Sequence, residues 1–189
     1  MRWCVLASAA LLAACQVTVF QQVPSGAGDR CPGWAPGVWS LIDGEEPGFH
    51  AEVAGDCRAT LWMREQDGWR QAATRLLIVD ELVFVRVADT LPLFAGARPD
   101  LVPEGHFGWR VLQTEPVLEL AWPDHGALAE AVAGGSVRGR AHVLEEVRLL
   151  ELEDDPGALV DRLGPDMVFS QTSLMRLQRV DRLPDGVRR

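Results

Sequence analysis

From Phe49 onward the chain reads as short apolar runs broken by turns. In several of them apolar and polar residues alternate with the period of two expected of a half-buried strand. Phe49, Ala51 and Val53 alternate with His50 and Glu52, and Cys57, Ala59, Leu61 and Met63 alternate with Arg58, Thr60 and Trp62. Residues 76–79 and 82–87, rich in β-branched side chains and separated by Asp80-Glu81, predict a hairpin. Further strands are predicted from Gly37, over 107–112 and 117–122, and over 137–143, 147–152 and 173–180.

Helical signals are few, and two of them are alike. Asp124-His125-Gly126-Ala127-Leu128-Ala129-Glu130-Ala131-Val132 aligns with Asp155-Pro156-Gly157-Ala158-Leu159-Val160-Asp161-Arg162-Leu163. Each opens on an Asp suited to N-capping, places apolar residues four apart on one face, and reaches a glycine, Gly134 or Gly164, where a helix should stop. Such a pair arises by duplication or by two helices obeying the same capping rules. Together these elements predict a mainly β (α+β) domain: an antiparallel barrel or half-barrel with two short helices in the C-terminal half.

The N-terminal residues follow a different pattern. Behind Met1-Arg2-Trp3 runs an apolar stretch from Cys4 to Ala14, ending at Cys15 and followed by polar Gln16. A spanning helix needs roughly 20 apolar residues, so this shorter run reads as a signal peptide. Leu12-Ala13-Ala14-Cys15 resembles the lipobox of bacterial lipoproteins, with one departure, an n-region carrying only Arg2. The resemblance implies cleavage before Cys15, diacylglycerol on its sulfur and acylation of the freed amine. Two or more acyl chains make release from a bilayer negligible. In Gram-negative lipoproteins an Asp after the cysteine favours retention in the inner membrane. Gln16 stands there instead, which implies a lipid anchor in the outer membrane, facing the periplasm, if the source is Gram-negative.

That address changes the cysteine arithmetic. With Cys4 removed and Cys15 lipidated, Cys31 and Cys57 remain in an oxidising compartment and are expected to form a disulfide. Residues 15–36, whose second part is rich in Pro and Gly, are expected to be the lipidated Cys and a flexible tether. The organisation expected is therefore signal peptide 1–14, tether 15–36, one β-rich domain 37–180 and a disordered tail 181–189.

Composition adds exclusions. In 189 residues there is no Lys, no Asn and no Tyr, and all 18 basic residues are Arg, the usage of a GC-rich coding sequence. A net charge of −9 argues against nucleic acid or an anionic lipid surface as a partner, since both need a basic face. Without Lys a P-loop is impossible. Gly134-Gly135-Ser136-Val137-Arg138-Gly139 lacks the second glycine of a nucleophile elbow and precedes a strand, so it reads as a turn. His50 and Glu52 share a strand face, but a metal site needs three or four ligands and the other histidines are dispersed. No cofactor is implied. The acidic stretches 43–46 and 151–155 read as solvated loops.

Of seven tryptophans, Trp3 leaves with the signal peptide and the others serve either as large core residues or as an aromatic ligand or contact surface. Trp62 shares its strand face with Arg58 and Thr60, opposite the apolar set, and with Trp39 these residues are candidate contact positions. Gly37-Val38-Trp39 is similar to the lipocalin signature Gly-x-Trp, which implies that an Arg of the last strand, Arg176 or Arg179, covers the Trp39 ring. The longer string Gly37-Val38-Trp39-Ser40-Leu41 with Cys57-Arg58-Ala59-Thr60-Leu61 also resembles small bacterial barrel inhibitors of metalloproteases. That family's cysteine pairs with a later one, whereas the available partner here, Cys31, comes earlier.

Three function classes follow. The first is a non-catalytic envelope lipoprotein binding a protein partner or the cell wall, the second a lipocalin-like carrier of an apolar small molecule, and the third an envelope hydrolase. All three share the anchor. Cys15→Ala should abolish metabolic lipid labelling and leave the longer precursor, as read on a gel; an unchanged membrane-bound product would refute the lipobox reading.

Overall fold

A computed structural model describes residues 16–42, 48–65, 68–93, 103–144, 147–183 and 187. Cys15 and the acidic stretch 43–46 lie outside the described residues, as does much of the expected tail. In chain order the elements are β1 (Gln16–Phe20), β2 (Gly37–Leu41), β3 (Phe49–Val53), β4 (Arg58–Glu65), β5 (Gly68–Arg75), β6 (Leu77–Val79) and β7 (Leu82–Arg86). Helix α1 (Val87–Thr90) and a 3₁₀ turn (Leu91–Leu93) precede β8 (His106–Gln113) and β9 (Val117–Pro123). Then come α2 (His125–Ala133), β10 (Gly139–Leu144), β11 (Val147–Leu152), α3 (Pro156–Leu163), α4 (Pro165–Val168) and β12 (Phe169–Val180). Among the described residues no helix is long and apolar enough to cross a membrane.

The fold is mainly β, as the alternation predicts. Strands β5-β4-β3-β2-β12-β9-β8-β7-β6 pair antiparallel in that order and curl into a half-barrel. Side chains of alternate residues fill its interior: Trp39 from β2, Ala51 and Val53 from β3, Ala59 and Leu61 from β4, Ala72 from β5. Val83, Val85, Trp109, Val111, Leu118, Leu120 and Leu177 complete the interior from the other wall. Because strand side chains alternate, this interior and the outer face are set by one register.

No ladder joins β5 to β6 or β7, so the barrel is open along that seam. Helix α1 and the 3₁₀ turn fill it instead. Leu93 packs into the interior, and Thr74 on β5 donates its hydroxyl to the Asp89 carboxylate at 2.9 Å.

A second layer lies outside β7, β8 and β9. There β1 runs parallel to β11, and β11 antiparallel to β10, the one departure from an antiparallel sheet. Phe20 of β1, fully buried, meets Phe84 edge-on at 5.8 Å and lies 6.4 Å from Phe169. Gly108 makes room for it: a Cβ there would stand 2.8 Å from both the Phe20 and Phe84 rings. Leu128 of α2 and Leu159 of α3 close this core, each with no exposed surface.

The expected tether from Cys15 to 36 is corrected by β1. Gln16–Phe20 is a strand paired with both β11 and β8, with Val19 and Phe20 fully buried. Its Val-Thr-Val-Phe run is good strand sequence, and the Pro/Gly-rich stretch begins only after it. Even that stretch is held, through Gly28 N–H donating to the Ile78 carbonyl at 3.1 Å and through Cys31, which sits at disulfide distance from Cys57 with Cα atoms 5.2 Å apart.

The paired helix signals are structurally alike. Asp124 accepts from Ala127 N–H at 2.9 Å and Asp155 from Ala158 N–H at 3.0 Å, the same N-cap bond. The acidic stretch 151–155, expected to be a solvated loop, ends β11 and locks the insertion. Asp154, only 8% exposed, takes Arg138 Nε at 2.6 Å and Arg162 at 2.8 Å, tying the entry to β10 to helix α3.

Burial alone would raise the Asp154 pKa; the hydrogen bonds from Arg162 and Arg138 outweigh it and hold the carboxyl at about 2, below its ordinary 3.8. A depressed carboxyl stabilises the fold above its unfolded pKa, and that contribution fades as the pH falls through the folded value. Both arginines are substantially exposed, which screens the pairs. Asp154→Asn should therefore cost about 1–2 kcal/mol at neutral pH, and the gap from the unchanged protein should close between about pH 4 and pH 2, as read by urea unfolding.

Candidate functional site

The two ends of the barrel differ. At one end lie the β3–β4 turn, the β5–β6 corner and the β8–β9 turn, and there Trp39 is 3% exposed. Its Nε1–H donates to the Ala35 carbonyl at 2.9 Å, and the Arg179 guanidinium lies 4.9 Å above the ring. Arg179 also donates to the Trp34 carbonyl at 2.9 Å, tying β12 to the segment that enters β2. Gly37, at φ 140°, permits the stack, because a Cβ there would sit 3.4 Å from the guanidinium carbon.

Of the two arginines expected to cover Trp39, register selects Arg179. Arg179 is paired with Trp39 across β12–β2, whereas Arg176 has the opposite parity and its Nε bonds Glu119 at 3.0 Å on the outside. This end is therefore plugged. A shallow groove remains outside it, lined by Trp39, Thr114, Glu115, Pro116 and Arg179.

The other end is apolar among the described residues. Phe49 pairs with Met63, which in turn pairs with Arg70, and this row with Leu41, Met175 and Trp122 lines a mouth whose apolar members pack on the interior yet stay only partly buried. Phe107 and Trp109 project from β8 below the rim, their rings 6.3 Å apart, and Trp122 meets Trp109 at 5.3 Å. Arg70 and Glu65 pair at 2.6 Å on the β4–β5 side. Trp109 is 9% exposed, and its Nε1–H has no hydrogen-bond partner among the described residues. A buried indole donor ordinarily finds one, so a bound acceptor would relieve a cost of about 1–3 kcal/mol here.

The outer face of β2–β5 carries the remaining sequence candidates. Trp62 faces outward as expected, but it is 2% exposed, so it is not a free contact surface. It sits opposite His50 across the β3–β4 ladder, and the His50 ring lies 5.1 Å from Trp69. Burial pushes the His50 imidazole down from its ordinary pKa, and neither of its ring nitrogens nor Trp62 Nε1 has a hydrogen-bond partner among the described residues. Arg58 is exposed and pairs with Asp56 at 2.7 Å. Among the described residues no group of three or more metal-ligating side chains comes together.

The structure thus joins Trp39 to Arg179 and leaves Trp62 and Arg58 apart from that site. It also brings forward Phe107, Trp109 and Trp122, which sequence reasoning counted without singling out. The signal was present: Phe107, Trp109 and Val111 share parity with one another, as do Leu118, Leu120 and Trp122.

No protein family, curated protein or solved structure matches the chain.

The two arginines should separate in a stability measurement. Arg179→Ala removes the stack and the bond to Trp34 and should lower unfolding free energy by about 1–2 kcal/mol, whereas Arg176→Ala, breaking an exposed pair, should change it by less than about 0.5 kcal/mol. Guanidinium unfolding of both variants checks the difference.

Proposed function

We propose that this chain is a lipid-anchored lipoprotein of the cell envelope whose barrel carries an apolar small molecule without chemical change. Residues 1–14 act as the signal peptide, Cys15 carries the lipid, and in a Gram-negative source the domain sits at the outer membrane facing the periplasm. The lipobox-like Leu12-Ala13-Ala14-Cys15 supports the anchor. The disulfide-distance pair of Cys31 and Cys57 fits an oxidising compartment.

One observation supports the carrier reading: the barrel interior, stacked over by Arg179 at the Trp39 end, carries a set of only partly buried apolar side chains at the other. Its wall presents Leu41, Phe49, Met63, Trp122 and Met175 to a guest, and Trp109 Nε1 offers one hydrogen bond from within. Apolar lining with a few placed polar groups is the ordinary character of a small-molecule site. Indole only donates, so the guest it suits has an apolar body and an acceptor such as a carbonyl or carboxylate. The Arg179 stack on Trp39 also fits the lipocalin-like Gly-x-Trp pattern, which favours the carrier over the protein- or wall-contact reading.

Titration with a fatty acid and with an alkylbenzene of matched size should quench tryptophan fluorescence. Trp109→Phe should weaken the fatty acid about tenfold and leave the alkylbenzene nearly unchanged, since a tenfold change corresponds to one modest hydrogen bond. Absence of quenching by either compound would overturn the carrier reading.

A further inference from the structure

We infer that the free edge of β10 docks a second copy of this chain, the two β10 strands pairing antiparallel across a two-fold axis at Ala141. The sheet ends at β10 on one side and at β5 on the other. The β5 end meets α1 and the 3₁₀ turn, with Thr74 bonded to Asp89. Among the described residues β10 pairs with β11 alone, in an unbroken register from Gly139 opposite Leu152 to Leu144 opposite Val147. Strand edges are ordinarily protected by brevity, proline, a bulge or a covering element. At six residues β10 is of ordinary length, and it has neither proline nor bulge. Ala141 is exposed, and Val143 is 65% exposed.

The backbone fixes which groups face outward. Glu153 N–H donates to the Arg138 carbonyl at 3.0 Å, so the Arg138 carbonyl turns toward β11. Antiparallel bonding alternates along a strand, so Arg140 and His142 also bond toward β11, while Gly139, Ala141 and Val143 turn N–H and C=O to the free edge. Leu152, opposite Gly139, agrees: its carbonyl accepts on the far side, from Gln21 N–H of the segment leaving β1, at 2.8 Å. A second β10 centred on Ala141 sets Gly139 against Val143 and Val143 against Gly139. That register satisfies all six outward groups on each strand.

The side chains fit the same register. Gly139 and Val143 share a face, one with no side chain and the other with an exposed apolar one. A Cβ on Gly139 would stand 3.2 Å from a Val132 methyl and 3.3 Å from one of Leu152, so the bare position is an apolar slot. Opposed residues of an antiparallel pair lie about 5.5 Å apart, which brings the second copy's Val143 over that slot. Slot and filler sit four residues apart on one strand, so an antiparallel copy matches both at once. A strand of unrelated sequence would answer the backbone without making this exchange. On the other face Arg140 stands opposite the second copy's His142, and each keeps its own carboxylate, Glu153 at 3.6 Å and Glu151 at 3.7 Å.

So short a ladder is smaller than a standard interface of about 20–30 residues a side, and association should appear at roughly 0.1–0.5 mM. The test is amide hydrogen exchange on the full-length protein in nonionic detergent, kept below one chain per micelle. Raising the concentration through that range should slow exchange about threefold at Gly139, Ala141 and Val143 and leave Arg140 and His142, already bonded to β11, unchanged. Ala141→Pro removes one outward N–H, a change an edge tolerates, and Val143→Arg sets a charge against Val132. Each should abolish the concentration dependence without altering the midpoint of urea unfolding, and if Ala141→Pro fails to fold, Val143→Arg decides. Exchange at the three outward amides that is independent of concentration overturns the inference. So does a rise in mass by sedimentation without slowing at those amides, or slowing that survives Val143→Arg.

Discussion

Pairing of β12 with β2 turns a row of hairpins into a half-barrel. Apart from the β9–β12 ladder, every other junction of the barrel wall joins neighbours in sequence, but this one brings Val180 beside Val38 across most of the chain. It places Arg179 over Trp39, closes one end, and gives the interior residues of β3 and β9 a common space to fill. Such a contact forms late in entropic terms, because a long loop must close before it is rewarded. In the insertion between β9 and β12 both helices are capped by Asp, and Asp154 ties the entry of β10 to α3.

The two cores share a wall but differ in kind. The outer one is dense: Phe20, Phe84 and Phe169 interlock over Gly108 and have no exposed surface. The inner one is graded, buried at the Trp39 end and partly exposed at the mouth. Dense packing and graded exposure thus fall on different sides of β7, β8 and β9.

How much of this was legible depended on whether a strand's two faces differ in character. In β3 and β4 they do, and alternation alone assigned Ala51, Val53, Ala59 and Leu61 to the interior correctly. In β5 they do not: its inward residues Arg70, Ala72 and Thr74 form no apolar set, and the strand went unpredicted. The run Ser173-Leu174-Met175-Arg176-Leu177 has apolar residues on both faces, so the choice between Arg176 and Arg179 awaited the register. Strand β1 was hidden for another reason, since its partner β11 lies far along the chain and no local signal announces a parallel pairing. Trp62 shows the limit of parity itself: it faces outward as read, yet that face is covered at its level.

The seam between β5 and the β6–β7 hairpin bears on how the barrel closes. In a fully laddered barrel, girth is a matter of arithmetic, set by strand number and stagger. Here one edge of the wall is joined to the next by a short helix, a 3₁₀ turn and the hydroxyl of Thr74 on Asp89. Circumference then depends on a side-chain latch rather than on a count of strands, and the barrel is built as a clasped cuff instead of a closed ring.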